Sequence, residues 1–326
     1  MSHPEKTRLV WTDASWRRSA ELWIRERLGD LGRELVAPVE QPHVRAWGTV
    51  MRVRTDGGPL WFKASIAPLA YEAPLLEALA AHAPGRVPRL VAADVSRAWM
   101  LMEDAGTRLT DPHPDGPPVE MWREFLPVYA QLQLDVAAAS ADLVGRGVPD
   151  RTLPVLLDGL ERVLANDRLV RPATGRGLEA DELRRLRALG PQLAEALDVV
   201  GALGLPDSVQ HDDLHAWNVC VGSGGYSFID WGDASIAQPL LSLYVPLAHV
   251  GPGRAAEARD AYLEPWTAVR PHGELVAACD AAILLAQLTG VLKWELINSV
   301  LSDDERTGYE DVIPKRLRHL LELACA

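Results

Sequence analysis

Residues 209–234 read VQHDDLHAWNVCVGSGGYSFIDWGDA. This stretch decides the fold, because it contains the pattern His-x-Asp-x-x-x-x-Asn followed by an apolar run that ends in Ile-Asp-Trp. A Gly-Ser-Gly-Gly turn at 222–225 joins two short predicted strands and folds the second strand back on the first. The turn therefore brings together three polar side chains, those of Asp213, Asn218 and Asp230.

Two carboxylates and a carboxamide at one place are the groups that phosphoryl transfer needs. One carboxylate accepts the proton of an attacking hydroxyl, while an amide oxygen and the other carboxylate hold Mg²⁺ against the phosphates of a nucleotide. The three side chains stand between apolar runs, where burying polar groups without a function would be costly. The segment therefore predicts a phosphotransferase rather than a chance group of turn residues.

The same segment resembles the aminoglycoside phosphotransferase and choline kinase family, whose members are relatives of the protein kinases. The family pattern is His-Gly-Asp-Leu-His-x-x-Asn followed by Ile-Asp-Trp or Ile-Asp-Phe, and it appears here as HDDLHAWN and then IDW. The resemblance implies that Asp213 is the catalytic base or positions the acceptor hydroxyl. It also implies that Asn218 and Asp230 bind Mg²⁺ and that His211 braces the catalytic loop.

Two residues of the segment depart from the family pattern. Asp212 stands where the family has glycine, and Trp217 precedes Asn218 where a small residue is common. We expect both to line the acceptor site, next to His215, which either braces the loop or contacts the substrate. These departures leave the identity of the acceptor open.

A zinc site is a second interpretation of the segment, since His211 and His215 are four residues apart. A metalloprotease helix needs a glutamate next to its first histidine and a third ligand downstream. The flanking strand patterns also disfavour a long helix here. The zinc interpretation is therefore the weaker one.

A lysine inside an apolar strand is the main feature of the N-terminal part. Only four of the 33 basic residues are lysines, and Lys63 lies in the run Trp-Phe-Lys-Ala. Strand alternation turns it away from its bulky neighbours and towards a cleft, where a lysine can bind nucleotide phosphates and pair with a glutamate. The family resemblance indicates Glu72 as that glutamate, with Glu77 as the alternative.

The rest of the nucleotide site is less clearly marked. No Gly-x-Gly-x-x-Gly motif precedes Lys63, but Gly48 and Thr49 mark the first hairpin, in keeping with the shorter loop of the resembling family. Glu103 and Asp104 end the last predicted strand, where a hinge would bind adenine through backbone groups. The resemblance implies ATP or GTP, together with Mg²⁺, as cofactors.

The acceptor is expected to be a small molecule with a hydroxyl group, bound among the C-terminal helices as in the resembling family. Carboxylates and tryptophans suit an amino sugar or another hydroxylated amine, because aromatic faces stack on sugars and cations. The acidic run at 303–305 is also a candidate, although such runs usually begin a solvated helix. The candidate acceptor residues are Asp212, His215, Trp217, Asp233, Trp294 and Glu295.

The hydrophobic patterns predict an α+β chain in two parts, and the resemblance implies that these are the lobes of a protein-kinase-like fold. Residues 1–104 are expected to form an antiparallel-sheet N-lobe, and residues 105–326 a mainly helical C-lobe that begins with a Gly- and Pro-rich linker at 105–118. Helices are predicted at 13–29 (with Asp13 as N-cap), 71–82, 118–144, 153–166 and 179–203, and strands at 34–39, 46–54, 59–65, 89–94 and 98–103.

Composition excludes other classes of function. A net charge of -12 disfavours a nucleic-acid binder, which needs a basic surface. No stretch has the roughly 20 apolar residues that a membrane span needs. The polar N-terminus and the three widely spaced cysteines predict a cytoplasmic protein, and the sequence leaves its oligomeric state open.

A kinase fold that binds a nucleotide or ligand without turnover is the alternative to an enzyme. Such proteins usually lack at least one of the four key residues, whereas this chain has Lys63, Asp213, Asn218 and Asp230. No activation-loop segment is recognisable after Asp230, which favours a small acceptor over a protein substrate.

Overall fold

The computed structural model describes residues 9–113, 115–172 and 175–325. The polar N-terminus, residues 1–8, and one residue of the predicted linker lie outside the described part. Within it, a sheet-rich N-terminal lobe precedes a mainly helical C-terminal lobe, which is the predicted α+β organisation.

Five antiparallel strands form the sheet of the N-terminal lobe, in the spatial order β1-β2-β3-β5-β4. A tight turn joins β2 to β3, and Gly58 begins β3 at a φ of 102°, which glycine adopts without a Cβ clash. The strands are β1 (Glu40–Arg45), β2 (Gly48–Thr55), β3 (Gly58–Ser65), β4 (Leu90–Asp94) and β5 (Trp99–Glu103), and the helices of this lobe are α1 (Ala14–Asp30) and α2 (Glu72–His82).

The two faces of this sheet have different roles. On one face, Phe62 packs against Trp23 of α1 and Trp99 of β5, with ring centroids 5.7 Å and 5.6 Å away. Asp13 caps α1 by accepting a hydrogen bond from the backbone of Ser15, as predicted. The neighbouring residue on β3, Lys63, points from the opposite face, because successive strand residues alternate.

The C-terminal lobe is built from helices around one almost fully buried helix, α12 (Cys279–Asn298). Buried side chains, most of them apolar, lie on every side of it, as a helix surrounded by others requires. It packs against α5, α8 and α13. The helices are α3 (Val119–Val136), α4 (Ser140–Gly145), α5 (Leu153–Leu164), α6 (Asp167–Val170), α7 (Ala180–Ala188), α8 (Gly190–Gly201), α9 (Tyr244–Val250), α10 (Ala255–Leu263), α11 (His272–Ala277), α12 (Cys279–Asn298) and α13 (Val312–Ala324).

Short strands in this lobe carry the segment 209–234. A hairpin of β8 and β9 follows the loop at 211–218, and β7 pairs with β10. Gly106 lets the chain leaving the N-terminal lobe approach this hairpin, because a Cβ there would lie 2.4 Å from the carbonyl oxygen of Val221. The strands are β6 (Thr107–Arg108), β7 (Ser208–Gln210), β8 (Val219–Gly222), β9 (Gly225–Phe228) and β10 (Ser235–Ala237).

Three predicted elements differ from the structure. The strand predicted at 34–39 is wrong, since only Leu35 forms a bridge there and the edge strand is β1, whose register is irregular between Glu40 and His43. The proline within β1 lacks a backbone donor, but proline is tolerated at sheet edges and bulges. The apolar residues upstream therefore gave a stronger strand pattern than the true edge strand. The predicted helices 118–144 and 179–203 are each two helices, and Pro191 lies in the first turn of the second half of the latter.

An aromatic cluster joins the two lobes at the tip of the β1–β2 hairpin. The Trp47 ring lies edge-on to Trp294 of α12 at 5.2 Å and to Tyr309 at 5.0 Å. Beneath them Ala46, Ile297 and other apolar side chains are buried. The hairpin tip is therefore held against the C-terminal lobe. No helix in the described ranges is both long and apolar enough to cross a membrane.

We expect Trp47→Ala and Trp294→Ala to be coupled in a double-mutant cycle of unfolding free energies. An edge-to-face aromatic pair contributes about 0.5–1.5 kcal/mol beyond its buried area, so the double variant should be less destabilised than the sum of the single variants by about that amount. Trp47→Ala combined with Trp122→Phe is the control, because Trp122 packs on Phe125 in the C-terminal lobe. Additivity in both cycles would contradict the contact between the lobes.

Candidate active site

The loop between β7 and β8 holds Asp213 and Asn218 in contact. The carboxamide Nδ2 of Asn218 donates to the backbone oxygen of Asp213 at 3.0 Å and to its Oδ2 at 3.3 Å. The backbone N–H of Ile229 donates to the backbone oxygen of Asn218 at 2.9 Å, so the end of β9 lies beside the loop. These bonds fix the side-chain nitrogen of Asn218 towards Asp213 and leave its amide oxygen to point elsewhere.

Asp230 follows directly in a left-handed backbone conformation, with a φ of 65°. Residues other than glycine are uncommon in this region and are concentrated at functional sites. Its carboxylate is 58% exposed and accepts a hydrogen bond from Nζ of Lys63 at 2.5 Å. The strained turn thus aims a carboxylate into the cleft between the lobes.

Lys63 is shared between two carboxylates from different lobes. Its Nζ lies 2.7 Å from Oε1 of Glu72 at the start of α2, in addition to its contact with Asp230. Burial works to lower the pKa of Lys63, but the charges of Asp230 and Glu72 outweigh it and raise the pKa above its usual value. The lysine is therefore a cation that joins α2, β3 and the end of β9.

The two acids respond to this cation in opposite directions. The charge of Lys63 holds the pKa of Asp230 below its usual range. Burial raises the pKa of Glu72 to about 7, although Lys63 opposes the shift. The difference follows from exposure, because Glu72 is buried and its Oε2 has no partner, whereas Asp230 faces the cleft.

His211 is a brace inside the lobe. Its Nε2 lies 2.9 Å from the backbone oxygen of Ile229, and its backbone N–H donates to the hydroxyl of Tyr129 at 2.9 Å. Its ring contacts Trp231 at 4.6 Å. Burial lowers the pKa of His211, so the ring is neutral at pH 7. Residues 211–215 form a loop rather than a helix, which also overturns the geometry of the zinc interpretation.

The imidazole of His215 contacts the carboxylate of Asp213. Its Nε2 lies 3.3 Å from Oδ2 of Asp213, and His249 of α9 lies 5.4 Å from its ring. Burial works to raise the pKa of Asp213, but the hydrogen bond from His215 and the charge of Lys293 hold it well below its usual range. Burial likewise opposes protonation of His215, yet the bond to Asp213 raises its pKa.

Residues 49–275 of this chain match the model of the phosphotransferase enzyme family. The chain belongs to that family. The match covers more than half of the chain and includes Lys63, Glu72 and the whole segment 209–234. No curated protein matches this chain.

Solved structures with the same fold come from several phosphotransferases. An ethanolamine kinase from Plasmodium vivax has a TM-score of 0.64 at 10% identity and covers 97% of this chain and 89% of its own. A macrolide 2′-phosphotransferase from Brachybacterium faecium has a TM-score of 0.60 at 16% identity, covering 91% and 98%. The GDP complex of wild-type aminoglycoside 2′-phosphotransferase-IIIa has a TM-score of 0.57 at 14% identity, covering 94% and 98%. At these identities the likeness establishes the two-lobed, protein-kinase-like fold.

Against this phosphotransferase fold, the structure corrects the interpretation of three predicted acceptor residues. Asp212 has a nearly inaccessible carboxylate that is engaged by an arginine and neighbouring polar groups. Glu295 accepts hydrogen bonds from Nε and Nη2 of Arg162, both at 2.8 Å. Trp294 belongs to the aromatic cluster with Trp47. All three side chains are therefore engaged by other side chains of this protein. The residues that engage them lie far away in the sequence, which is why the sequence pattern did not reveal these contacts.

The remaining predicted acceptor residues lie on the loop that holds Asp213 or next to the turn at Asp230. Trp217 is 58% exposed, although the residues on either side of it are buried. Asp233 follows the turn at Asp230, and its Oδ2 accepts a hydrogen bond from Nζ of Lys293 at 2.7 Å. Lys293 is a buried cation that the sequence analysis did not single out, although its rarity among the basic residues was a usable signal.

On the nucleotide side, the predicted residues have mixed placements. Thr49 is buried, and its hydroxyl donates to the backbone oxygen of His43, so its side chain turns away from the cleft. Gly48 allows β2 and β3 to approach closely, because a Cβ there would lie 2.8 Å from the backbone oxygen of Ala64. At the hinge, Glu103 forms an ion pair with Arg89.

Trp61 is a candidate that the sequence analysis missed. It stands two residues before Lys63 on β3, so both side chains point from the same face of the sheet. Lys63 is therefore turned away from Phe62 but not, as predicted, from both of its bulky neighbours. Its Nε1 donates to Oδ2 of Asp104 at 2.8 Å, which places the indole ring beside the hinge. Stacking of a flat base on Trp61 could not be inferred from the sequence, because the run Trp-Phe-Lys is equally typical of side chains packed in the core of the lobe.

The donor set fits one magnesium ion held with help from a nucleotide. Among the described residues, no three His, Cys, Asp or Glu side chains are grouped so as to hold a metal. Mg²⁺ in phosphotransferases usually takes one or two protein oxygens and completes its shell with phosphates and water. The exposed carboxylate of Asp230 and the free amide oxygen of Asn218 match that requirement.

We expect Lys63→Met to lower the free energy of unfolding by about 3–5 kcal/mol, because it leaves the buried carboxylate of Glu72 without its cation. Adding Glu72→Gln should recover part of this loss, since the unpaired charge is then gone. Arg146→Met is the control, because its exposed side chain pairs with the exposed carboxylate of Asp142 at the surface. Urea unfolding would measure all of these variants, and a Lys63→Met protein as stable as the parent would refute the shared ion pair.

The histidine beside Asp213 predicts a pH dependence of stability. The folded pKa of His215 lies above its ordinary value of 6.5. Its stabilisation is therefore fully present below that value and is lost as the pH rises through the folded pKa. His215→Gln should destabilise the protein more at about pH 5 than at about pH 9. Equal losses at both pH values in thermal unfolding would contradict the ion pair.

Proposed function

We propose that this chain transfers the γ-phosphoryl group of ATP or GTP, with Mg²⁺, to a hydroxyl group of a small polar molecule. The observation that carries this proposal is the convergence of Lys63, Asp230, Asn218 and Asp213 at one cleft between the lobes. Membership of the phosphotransferase enzyme family supports the class of reaction.

Each side chain has a role that its contacts support. Asp213, kept ionised by His215, orients the acceptor hydroxyl and takes its proton as the phosphoryl group leaves the nucleotide. Lys63 moves from Asp230 to the α- and β-phosphates when the nucleotide enters, while Glu72 holds it in place. Mg²⁺ bound by Asn218 and Asp230 would neutralise phosphate charge. Positioning and charge neutralisation supply most of the rate enhancement.

The nucleotide base is proposed to lie against Trp61 beside the hinge at Asp104. Flat rings stack on indoles, and the bond from Trp61 to Asp104 keeps the indole in one orientation. Backbone groups at the hinge would then bind the edge of the base. A GDP complex in a structure with the same fold means that GTP must be tested next to ATP.

The acceptor is proposed to be a small hydroxylated molecule, and Trp217 is the exposed aromatic surface available to it on the catalytic loop. Structures of the same fold carry the names of ethanolamine, macrolide and aminoglycoside phosphotransferases. Amino alcohols, macrolides and amino sugars are therefore the acceptors to test first.

A protein with this fold that binds nucleotide without turnover is the second candidate. The presence of all four residues counts against it, with Lys63 in contact with Asp230 and Asn218 in contact with Asp213. A protein that does not transfer phosphate has no use for such a set. Detectable phosphoryl transfer separates the two candidates.

We expect Asp213→Asn to reduce phosphoryl transfer by about 10²–10⁴-fold, because the amide cannot accept the proton of the hydroxyl. The measurement is ADP or GDP release with Mg²⁺ over amino sugars, aminoglycosides, macrolides and choline-like alcohols. Asp142→Asn is the matched control, since this carboxylate forms a surface ion pair with Arg146. Transfer that is unaffected by Asp213→Asn would contradict the assigned role, and nucleotide binding without transfer to any acceptor would favour the binding protein.

A further inference from the structure

The residue before the catalytic base has a backbone conformation that disfavours its own side chain. Asp212 has a φ of 58°, in the left-handed region where glycine is the usual residue. The resembling family has glycine at this position, which fits that conformation without strain. An aspartate in the same place must be held there by other contacts.

The carboxylate of Asp212 makes these contacts by accepting hydrogen bonds from four donors. Its Oδ2 accepts from Nη1 of Arg151 at 2.6 Å and from the hydroxyl of Ser235 at 2.8 Å. Its Oδ1 accepts from Nε2 of Gln210 at 2.7 Å and from the hydroxyl of Thr289 at 2.9 Å. The side chain is only 4% exposed, so these bonds form away from water, where leaving them unmade would be costly.

The donors come from separate elements of the C-terminal lobe. Gln210 ends β7, Ser235 begins β10, and Thr289 belongs to the buried helix α12. Arg151 also donates to the backbone oxygen of Asp233 at 3.3 Å. The carboxylate therefore ties the catalytic loop to α12 and to the strand that follows the turn at Asp230.

A second cation closes the network from the same helix. Lys293, one turn after Thr289, lies with its Nζ 3.4 Å from the backbone oxygen of Asp212 and 2.7 Å from Oδ2 of Asp233. Residues four apart share one face of a helix, so α12 contacts both segments with one face. The two buried cations, Arg151 and Lys293, are balanced by Asp212 and Asp233.

We propose that Asp212, with Arg151 and Thr289 as its partners, is a positioning residue that fixes the left-handed turn and thereby the orientation of Asp213. This proposal rests on the proposed function for its kinetic consequence, but not for its structural one. Where a glycine would leave the backbone of this turn free to adopt several conformations, the hydrogen bonds of the Asp212 carboxylate restrict it to one. A base held by packed and bonded neighbours is ready for the acceptor without prior reorganisation.

Asp212→Gly is the decisive variant, because glycine fits the turn and only the carboxylate contacts are removed. The backbone amides of His211, His215 and Asn218 donate hydrogen bonds within the loop or to Tyr129, so their hydrogen exchange reports its order. We expect these amides to exchange faster than in the parent, while amides in the N-terminal sheet are unchanged. We also expect kcat to fall by up to about 10²-fold, with KM for the nucleotide unchanged.

A double variant separates positioning from stability. Asp212→Gly leaves the buried guanidinium of Arg151 without its counter-ion, and Arg151→Met removes that orphaned charge. We expect Asp212→Gly with Arg151→Met to regain thermal stability but not kcat or loop protection. If Asp212→Gly alone does not fold, Thr289→Val, which removes one bond to the carboxylate, should show the same kinetic and exchange changes to a smaller degree.

The matched control is Asp311→Asn, which weakens another buried carboxylate with two cationic partners, Lys315 and Arg176. It should reduce stability while leaving kcat and loop exchange unchanged. Parent-like exchange and kcat in Asp212→Gly would overturn the proposal. If the parent transfers phosphate to no acceptor, the proposed function fails, and faster loop exchange in Asp212→Gly still supports the positioning role, whereas unchanged exchange refutes it.

Discussion

The rest of the site depends on the two ion pairs that the ammonium group of Lys63 forms. It stands 2.7 Å from Glu72 and 2.5 Å from Asp230, which belong to different lobes. A buried cation between two carboxylates constrains the approach of the sheet, α2 and the end of β9 at the same time. Tyr71 adds to this join, because its hydroxyl donates to the backbone oxygens of Gly232 and Ala234.

The buried helix α12 integrates the site with the rest of the molecule. Thr289 and Lys293 bind the segments around Asp213 and Asp233, while the next residue, Trp294, packs on the hairpin tip of the opposite lobe. A helix surrounded on every side can hold both contacts at fixed distances, since it has little freedom to shift. The geometry of the cleft therefore depends on a helix that contributes no catalytic group of its own.

Much of this arrangement could be predicted from local sequence. The strand-turn-strand segment after Asn218 determines how Asp230 meets the loop, and strand alternation determines where Lys63 points. The N-cap at Asp13 also follows from a short stretch of sequence, whereas the pairing of Lys63 with Glu72 was indicated by the family resemblance. These features depend on neighbours that the reader of a sequence can see.

The features that could not be predicted depend on partners that are distant in the chain. Asp212 and Glu295 look like free carboxylates in the sequence, but Arg151 and Arg162, which neutralise them, lie 61 and 133 residues away. Trp294 resembles a substrate platform until Trp47 is found against it. Acidic and aromatic side chains of the helical lobe could therefore be assigned to the acceptor or to the scaffold only after the packing was known.

The most direct test of the central claim is calorimetric titration of ATP and GTP, with and without Mg²⁺, into the parent protein and Asp230→Asn. If Lys63 and Asp230 form the phosphate and metal site, Mg²⁺ will strengthen nucleotide binding to the parent and do so much less in Asp230→Asn. Binding that responds equally to Mg²⁺ in both proteins, or no binding of either nucleotide to the parent, would contradict the assignment of this cleft.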